Sequence, residues 1–272
     1  MQGGLVHAPG CSDPLGAMLI EQAGFGAAYL SGFALSATLL GVADLGLISL
    51  DDIADAVRRI TATVSIPVIA DIDVGFGGPL NVRRTVVEVE TAGAAAVQIE
   101  DQLSPKRCGH FEDKAIVDIA EAVDRVAIAV NARRSNDTVV IARTDAVAVE
   151  GIDAAIERGR RFRDVGADVV FIEALENVEQ LQRVADALGD TPLLYNAVEG
   201  GRSPILAADA LASCGVRILI HPVTLLLESI RIQQAALVAL RNGVDASTAT
   251  IALARQVVGA DEALAFHASR RR

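Results

Sequence analysis

The chain has 272 residues, 51% of them apolar but only 3% aromatic, with a formal net charge of -11. That acidity argues against a nucleic-acid surface, which needs a clustered positive field, and the only dense basic run, at 270–272, reads as a solvated tail. Cys11, Cys108 and Cys214 fit neither a disulfide framework nor a zinc site. No leader-like segment opens the sequence and no apolar run approaches the roughly 20 residues of a membrane span, so a cytoplasmic protein is expected.

In chain order, short apolar runs recur: "LVHAP", "AAYLS", "PVIAD", "AAVQIED", "VVIARTD", "VVFIEA", "PLLYN" and "RILIHP". Between them lie stretches with helical spacing at 50–64, 81–92, 116–132, 153–165 and 178–188. This alternation is that of parallel strands joined by crossover helices. Eight units predict an α/β fold, a (β/α)8 TIM barrel, with additional C-terminal helices; a doubly wound sheet is the alternative. Glycines in "AGAAA", "VGADV" and "SCGVR" fall where helices end before strands begin. No linker divides the chain, so 1–272 reads as a single barrel domain in which 225–272 forms a C-terminal helical segment.

Polar residues concentrate at the C-terminal ends of the strand runs: Ser31, Asp71 with Asp73, Glu100 with Asp101, Arg143 with Asp145, Glu173, Asn196 with Glu199, and His221. In a barrel those ends converge on one face, where active sites form. Asp71 and Asp73 in "DIDVGFGG" would point to the same side of an extended segment. With Asp44, Glu100 and Glu173 they make an oxygen-rich set suited to magnesium, or manganese, rather than zinc. The plainer reading is that such carboxylates cap helices. The glycines of "GFGG" lack nucleotide-binding spacing and suit a turning loop.

In "SPKRCGH", a thiol at Cys108 stands among Lys106, Arg107 and His110, which favours its thiolate and makes it a candidate acid/base. A papain-like Cys/His nucleophile would leave the carboxylates unexplained. Arg143 could hold a substrate carboxylate with two hydrogen bonds, or pair structurally with Glu173 or Asp145. His7 and His221 read as scaffolding.

Taken together, "YLSGF", "DLGLISLDDI", "DIDVGFG", "IEDQLSPKRCGH", "ARTDA" and "NAVEGGRSP" resemble the isocitrate lyase and phosphoenolpyruvate mutase superfamily, in order from residue 5 to residue 240. The "KRCGH" pattern is similar to the lyase branch, above all its 2-methylisocitrate lyase-like members. The resemblance implies a barrel whose C-terminal helices pack on a neighbouring subunit of a homodimer or homotetramer. It implies magnesium at Asp71 and Asp73, its waters ordered by Asp44, Glu100 and Glu173. Backbone at Ser31, Gly32 and Phe33 would meet a substrate carboxylate, with Arg143, Asn196, Glu199 and Ser203 completing the substrate site. Cys108 would be the acid/base on a lid, flanked by Lys106, Arg107, Gly109 and His110. The implied reaction is retro-aldol-type cleavage of a 2-hydroxy di- or tricarboxylate. The same resemblance offers phosphorus-carbon mutase chemistry and oxaloacetate hydrolysis or decarboxylation as alternatives; outside catalysis, the alternative is a small-acid binding protein built on a decayed site. Two features depart from the lyase pattern: Val198 replaces a threonine, and Phe33 stands where a small glycine is frequent. Little sequence precedes the first strand and the C-terminal stretch is short, which bears on the extent of helix exchange.

Overall fold

Each apolar run is too short to be buried alone, and a parallel partner is reached only by a crossover of a dozen or so residues. The computed structural model describes residues 4–107, 109, 114–245 and 249–270. In it the runs become β1 (Val6–Cys11), β2 (Ala28–Leu30), β3 (Val68–Asp71), β4 (Ala96–Glu100), β5 (Val139–Thr144), β6 (Val169–Ile172), β7 (Leu193–Asn196) and β8 (Val216–His221). They pair in parallel, each with its successor and β8 with β1, closing the barrel that the sequence predicts. The doubly wound alternative is thereby set aside.

Period-two alternation divides the core into two layers. Ala8, Tyr29, Ile69, Ala96, Ile141, Phe171, Leu194 and Ile218 fill the barrel interior. The intervening residues, among them Leu30, Ala70, Val97, Val140 and Val170, pack outward with the helices in a separate cluster. At the top of β1 only glycine fits: a Cβ on Gly10 would stand 2.1 Å from the Pro222 carbonyl oxygen.

The helices occupy the expected positions, as Leu50–Thr61, Pro79–Thr91, Ile119–Ala132, Ile152–Asp164 and Val178–Leu188. A capping box between Ser49 and Asp52 starts the first of these. Gly93, Gly166 and Gly215 all have positive φ where helices give way to strands, as their spacing implied. A π-helical turn at Ser36–Leu40 was not legible in the pattern. After β8, helices Thr224–Arg241, Ile251–Val257 and Ala260–Ser269 contain no buried residue and expose Leu237, Leu240, Ile251 and Phe266. Among the described residues no helix is long and apolar enough to cross a membrane.

Candidate active site

The barrel's inward-facing series turns polar one or two steps above its apolar filling. Tyr29 is followed by Ser31, Ile69 by Asp71, Ala96 by Gln98 and Glu100, Ile141 by Arg143, Phe171 by Glu173 and Leu194 by Asn196. Strand alternation alone therefore aims these groups into one space, and all are buried. Seven adjacent polar side chains out of water are stable only if they satisfy one another or a ligand.

Around β3 the balance is acidic. The Lys106 ammonium is buried 2.6 Å from Asp44 Oδ1 and 2.8 Å from Asp73 Oδ1. Apart from these ion pairs, neither oxygen, nor Glu100 Oε1, has a well-aligned hydrogen-bond donor among the described residues. Burial opposes charge on Lys106, but Asp73 and Asp44 hold its pKa well above the ordinary value. Burial drives the Asp73 carboxyl up to about 7 against the pull of Lys106, with Asp71 and Asp44 adding repulsion. Burial also pushes Glu100 well up, although Arg143 opposes it. Lys106, with Arg143 reaching only Glu100 of this group, is thus shared by Asp44, Asp71, Asp73 and Glu100, leaving four carboxylates with less positive charge than they carry negative.

That deficit fits a hard cation. Among the described residues no three carboxylate, imidazole or thiolate groups form a ready-made cage, so the fit is to an ion with one or two direct protein ligands that keeps several waters, as magnesium does. Asp71 and Asp73 are not helix caps: Gly78 precedes the next helix and no side chain caps it. Nor are they brought together by an extended segment. β3 ends at Asp71, Asp73 has φ 49°, and its N–H donates to Asp71 Oδ1 at 3.2 Å. A left-handed aspartate in a site is a costly conformation retained by its surroundings. Gly32 lies beside the pair, where an added Cβ would be 3.3 Å from Asp71 Oδ2.

The opposite side is organised by Arg143. Its Nε and Nη2 donate to Asp145 Oδ2 and Oδ1 at 2.9 and 3.0 Å, its Nε lies 3.4 Å from Glu100 and its Nη2 3.6 Å from Glu173, and it stacks 5.2 Å above the Phe171 ring. The structural pairing weighed from sequence is therefore present, principally with Asp145. Burial opposes the charge, but Asp145, Glu100 and Glu173 keep Arg143 cationic. Glu173 belongs to this side rather than to the β3 acids: its Oε2 accepts from Asn196 Nδ2 at 3.0 Å and its Oε1 from the Ala174 N–H at 2.7 Å. Among the described residues Asn196 Oδ1 is left buried without a donor. Gly109 packs against both groups, and a Cβ there would fall 2.4 Å from Arg143 Nη2 and 2.9 Å from Glu173 Oε2.

Between the two sides lies a cavity of about 190 Å³ lined by Ser31, Asp44, Asp71, Glu100, Lys106, Arg107, Gly109, Arg143, Glu173 and Asn196. Its outer wall is largely apolar, formed by Phe33, Val198, Ile220, Pro222, Val223 and Leu227. Glu199 lines the rim and accepts from Thr224 Oγ1. Ser203, expected to bind substrate, does not line the cavity; it is buried beside the Tyr195 hydroxyl, which donates to the Pro204 carbonyl at 2.7 Å. His7 and His221 stack on each other with centroids 6.0 Å apart, as scaffolding would. Cys108 and His110 lie outside the described residues.

Three contributors were not singled out from sequence. Tyr29 lines the cavity and donates to Gln98 Oε1 at 3.2 Å; burial, then Asp71, keeps it a neutral phenol. It stands two residues before Ser31, so the period-two rule could have found it. Lys114 is buried against Asp145, and Arg158 reaches Asp101 from a helix at 3.1 Å. Neither carries a local sequence signal, because their partners come from other elements.

The chain belongs to the phosphoenolpyruvate mutase/isocitrate lyase superfamily: the family described as phosphoenolpyruvate phosphomutase matches residues 1–241. It is 44% identical over 233 residues to a 2-methylisocitrate lyase of Aeropyrum pernix, covering 86% of this chain and 74% of that protein. Among solved structures, 2,3-dimethylmalate lyase superposes with a TM-score of 0.92 at 37% identity, covering 98% of this chain and 91% of the other. Oxaloacetate acetylhydrolase in complex with 3,3-difluorooxalacetate superposes at 0.93 with 35% identity, covering 98% and 92%. Relatives at this level support an enzyme of the carbon-carbon lyase type within this superfamily.

Proposed function

We propose that this protein is a magnesium-dependent carbon-carbon lyase that cleaves a 2-hydroxy di- or tricarboxylate of the 2-methylisocitrate or alkylmalate kind. The observation that carries the reading is the pairing, across one cavity, of a cation-deficient carboxylate cluster with a guanidinium held by two hydrogen bonds to Asp145. Asp71 and Asp73 would hold the metal, with Asp44, Glu100 and, further off, Glu173 ordering its waters. Bound there, the metal would supply Lewis-acid stabilisation of negative charge on the substrate's hydroxyl and carboxylate oxygens.

The chain's own groups account for the rest. Backbone at Ser31, Gly32 and Phe33, with Arg143 and Asn196, orients the carboxylates, and Glu199 borders the rim. A carboxylate of the cavity acts as base and takes the hydroxyl proton, and that oxygen becomes a carbonyl as the bond between the second and third carbons breaks. The electron pair passes into the departing fragment as an aci-carboxylate, and Cys108 returns a proton to its carbon. Lys106 and Arg107, with His110, supply the positive field in which the developing charge is tolerated. The products are a 2-keto acid and a shorter carboxylate.

Two substitutions probe this arrangement. Gly109→Ala would drive a methyl group into Arg143, which its Asp145 fork prevents from yielding. A loss of about 100-fold in kcat/KM with the fold intact is expected, read by steady-state kinetics beside a thermal melt. Phe33→Ala would deepen the apolar wall. The ratio of kcat/KM for a bulkier over a smaller 3-alkyl substrate should rise by roughly 10-fold or more.

The experiment that tests the reading offers the magnesium-loaded protein 2-methylisocitrate, isocitrate, 2,3-dimethylmalate, oxaloacetate and phosphonopyruvate in parallel. Cleavage of a hydroxyacid is the expected result. Turnover of phosphonopyruvate alone, followed by phosphorus NMR, would move the assignment to phosphorus-carbon chemistry; hydrolysis of oxaloacetate alone would move it to that reaction. We further propose a cytoplasmic homo-oligomer in which 1–272 forms one barrel unit and 225–272 packs on a neighbouring subunit, because Leu237, Leu240, Ile251 and Phe266 present apolar surface that a second copy would cover.

A further inference from the structure

Lys114 is a fully buried cation with no place in the chemistry above. Its side chain is 2% exposed, and its Nζ donates to the Gly109 carbonyl at 2.6 Å and to Asp145 Oδ1 at 2.7 Å. Asp145 is the residue that fixes Arg143 with two hydrogen bonds, and its backbone N–H is itself anchored on Asp101 Oδ1 at 3.0 Å. Burial works against charge on Asp145, yet Arg143 and Lys114 together keep its carboxyl well below the usual range. The Gly109 backbone, in turn, lies so close to Arg143 and Glu173 that no Cβ fits.

One ammonium therefore joins two things the site needs together: the backbone beside Cys108 and the carboxylate that orients Arg143. A buried lysine is costly unless its contacts repay desolvation, and among the described residues both hydrogen bonds of the Lys114 ammonium are to site-forming groups. We propose that Lys114 is a positioning residue that locks the Gly109 backbone onto the Arg143–Asp145 pair, so that this stretch of the cavity wall and the carboxylate-binding guanidinium are set by one contact. The kinetic part rests on the lyase reading; the structural part does not.

The test compares wild-type protein with Lys114→Met, which keeps the length of the stem and removes the charge, and with Lys114→Gln, which keeps a donor. Hydrogen exchange is followed at the amides that close this segment, Leu103 on Ala115, Arg107 on Gln102 and Val117 on Asp101, and at the amides of β4 and β5. Lys114→Met should raise exchange at the three segment amides by about 10-fold or more while β4 and β5 stay protected. It should lower kcat by roughly 10- to 100-fold with KM changed less than about 3-fold, because misplacement rather than lost binding is at issue. Lys114→Gln should fall between the two. Unchanged segment exchange, or loosening of β4 and β5 in parallel with it, would overturn the proposal, as would a KM that rises as much as kcat falls. If the wild-type protein cleaves no hydroxyacid, the lyase reading fails while the exchange comparison still decides the role of Lys114.

Discussion

Cys108→Ser is expected to lower turnover by about 10²- to 10⁴-fold, the usual contribution of a positioned general acid or base, while magnesium and product-analogue affinities stay within about 3-fold of wild type. Serine nearly matches cysteine in size, so the substitution removes an acidic proton and little else. The cysteine's chain neighbours, Arg107 and Gly109, both line the cavity, and Gly109 packs against the Arg143 guanidinium. Steady-state kinetics beside calorimetric titration of magnesium and oxalate separates the two effects. Turnover near wild type would remove Cys108 from the proton path. A thiol that donates to carbon must begin the step protonated. The other two cysteines offer no substitute: Cys11 and Cys214 are buried, and burial, reinforced by Asp13, pushes the Cys11 thiol up to about 12.

Asp71→Asn should weaken magnesium binding by at least about 100-fold and abolish turnover at ordinary magnesium concentrations, yet leave the metal-free protein as stable or more so. The asparagine oxygen can still accept the Asp73 N–H. The lost charge is one that raises the pKa of both Asp73 and Glu100, so its removal relieves repulsion in the absence of metal. Each kcal/mol relieved would raise Tm by about 2–4 °C. The contrast with Lys106→Met is diagnostic: that change strips the cation from buried Asp44 and Asp73 and should cost roughly 3–5 kcal/mol. Thermal melts with and without magnesium read both signs. An Asp71→Asn protein that melts lower than wild type without metal would contradict the electrostatic assignment.

Much of this site could be read from the sequence because a barrel strand is a simple device. Once eight apolar runs are recognised, every second residue faces inward, and polar residues at the upper ends must meet. Asp71, Glu100, Arg143, Glu173 and Asn196 follow from that rule. It fails where the chain leaves the strand. Asp73 reaches Asp71 through a left-handed turn rather than by extension, and Ser203 lies behind Tyr195 because the loop after β7 folds back on the barrel wall. Lys114 and Arg158 were invisible for a different reason: a buried cation is recognised by its partners, and Asp145 and Asp101 are brought to them only by the closed fold. The partition of Arg143 between substrate and Asp145 could not be decided from sequence, since both uses ask for the same residue at the same place.

The measurement that bears most directly on the lyase reading is a proton NMR count of both fragments released from 2-methylisocitrate and from 2,3-dimethylmalate, with magnesium and after its chelation. One equivalent of pyruvate should appear for each equivalent of succinate or propionate, only with magnesium present. Unchanged hydroxyacid in both samples, or fragments formed equally well after chelation, would contradict it.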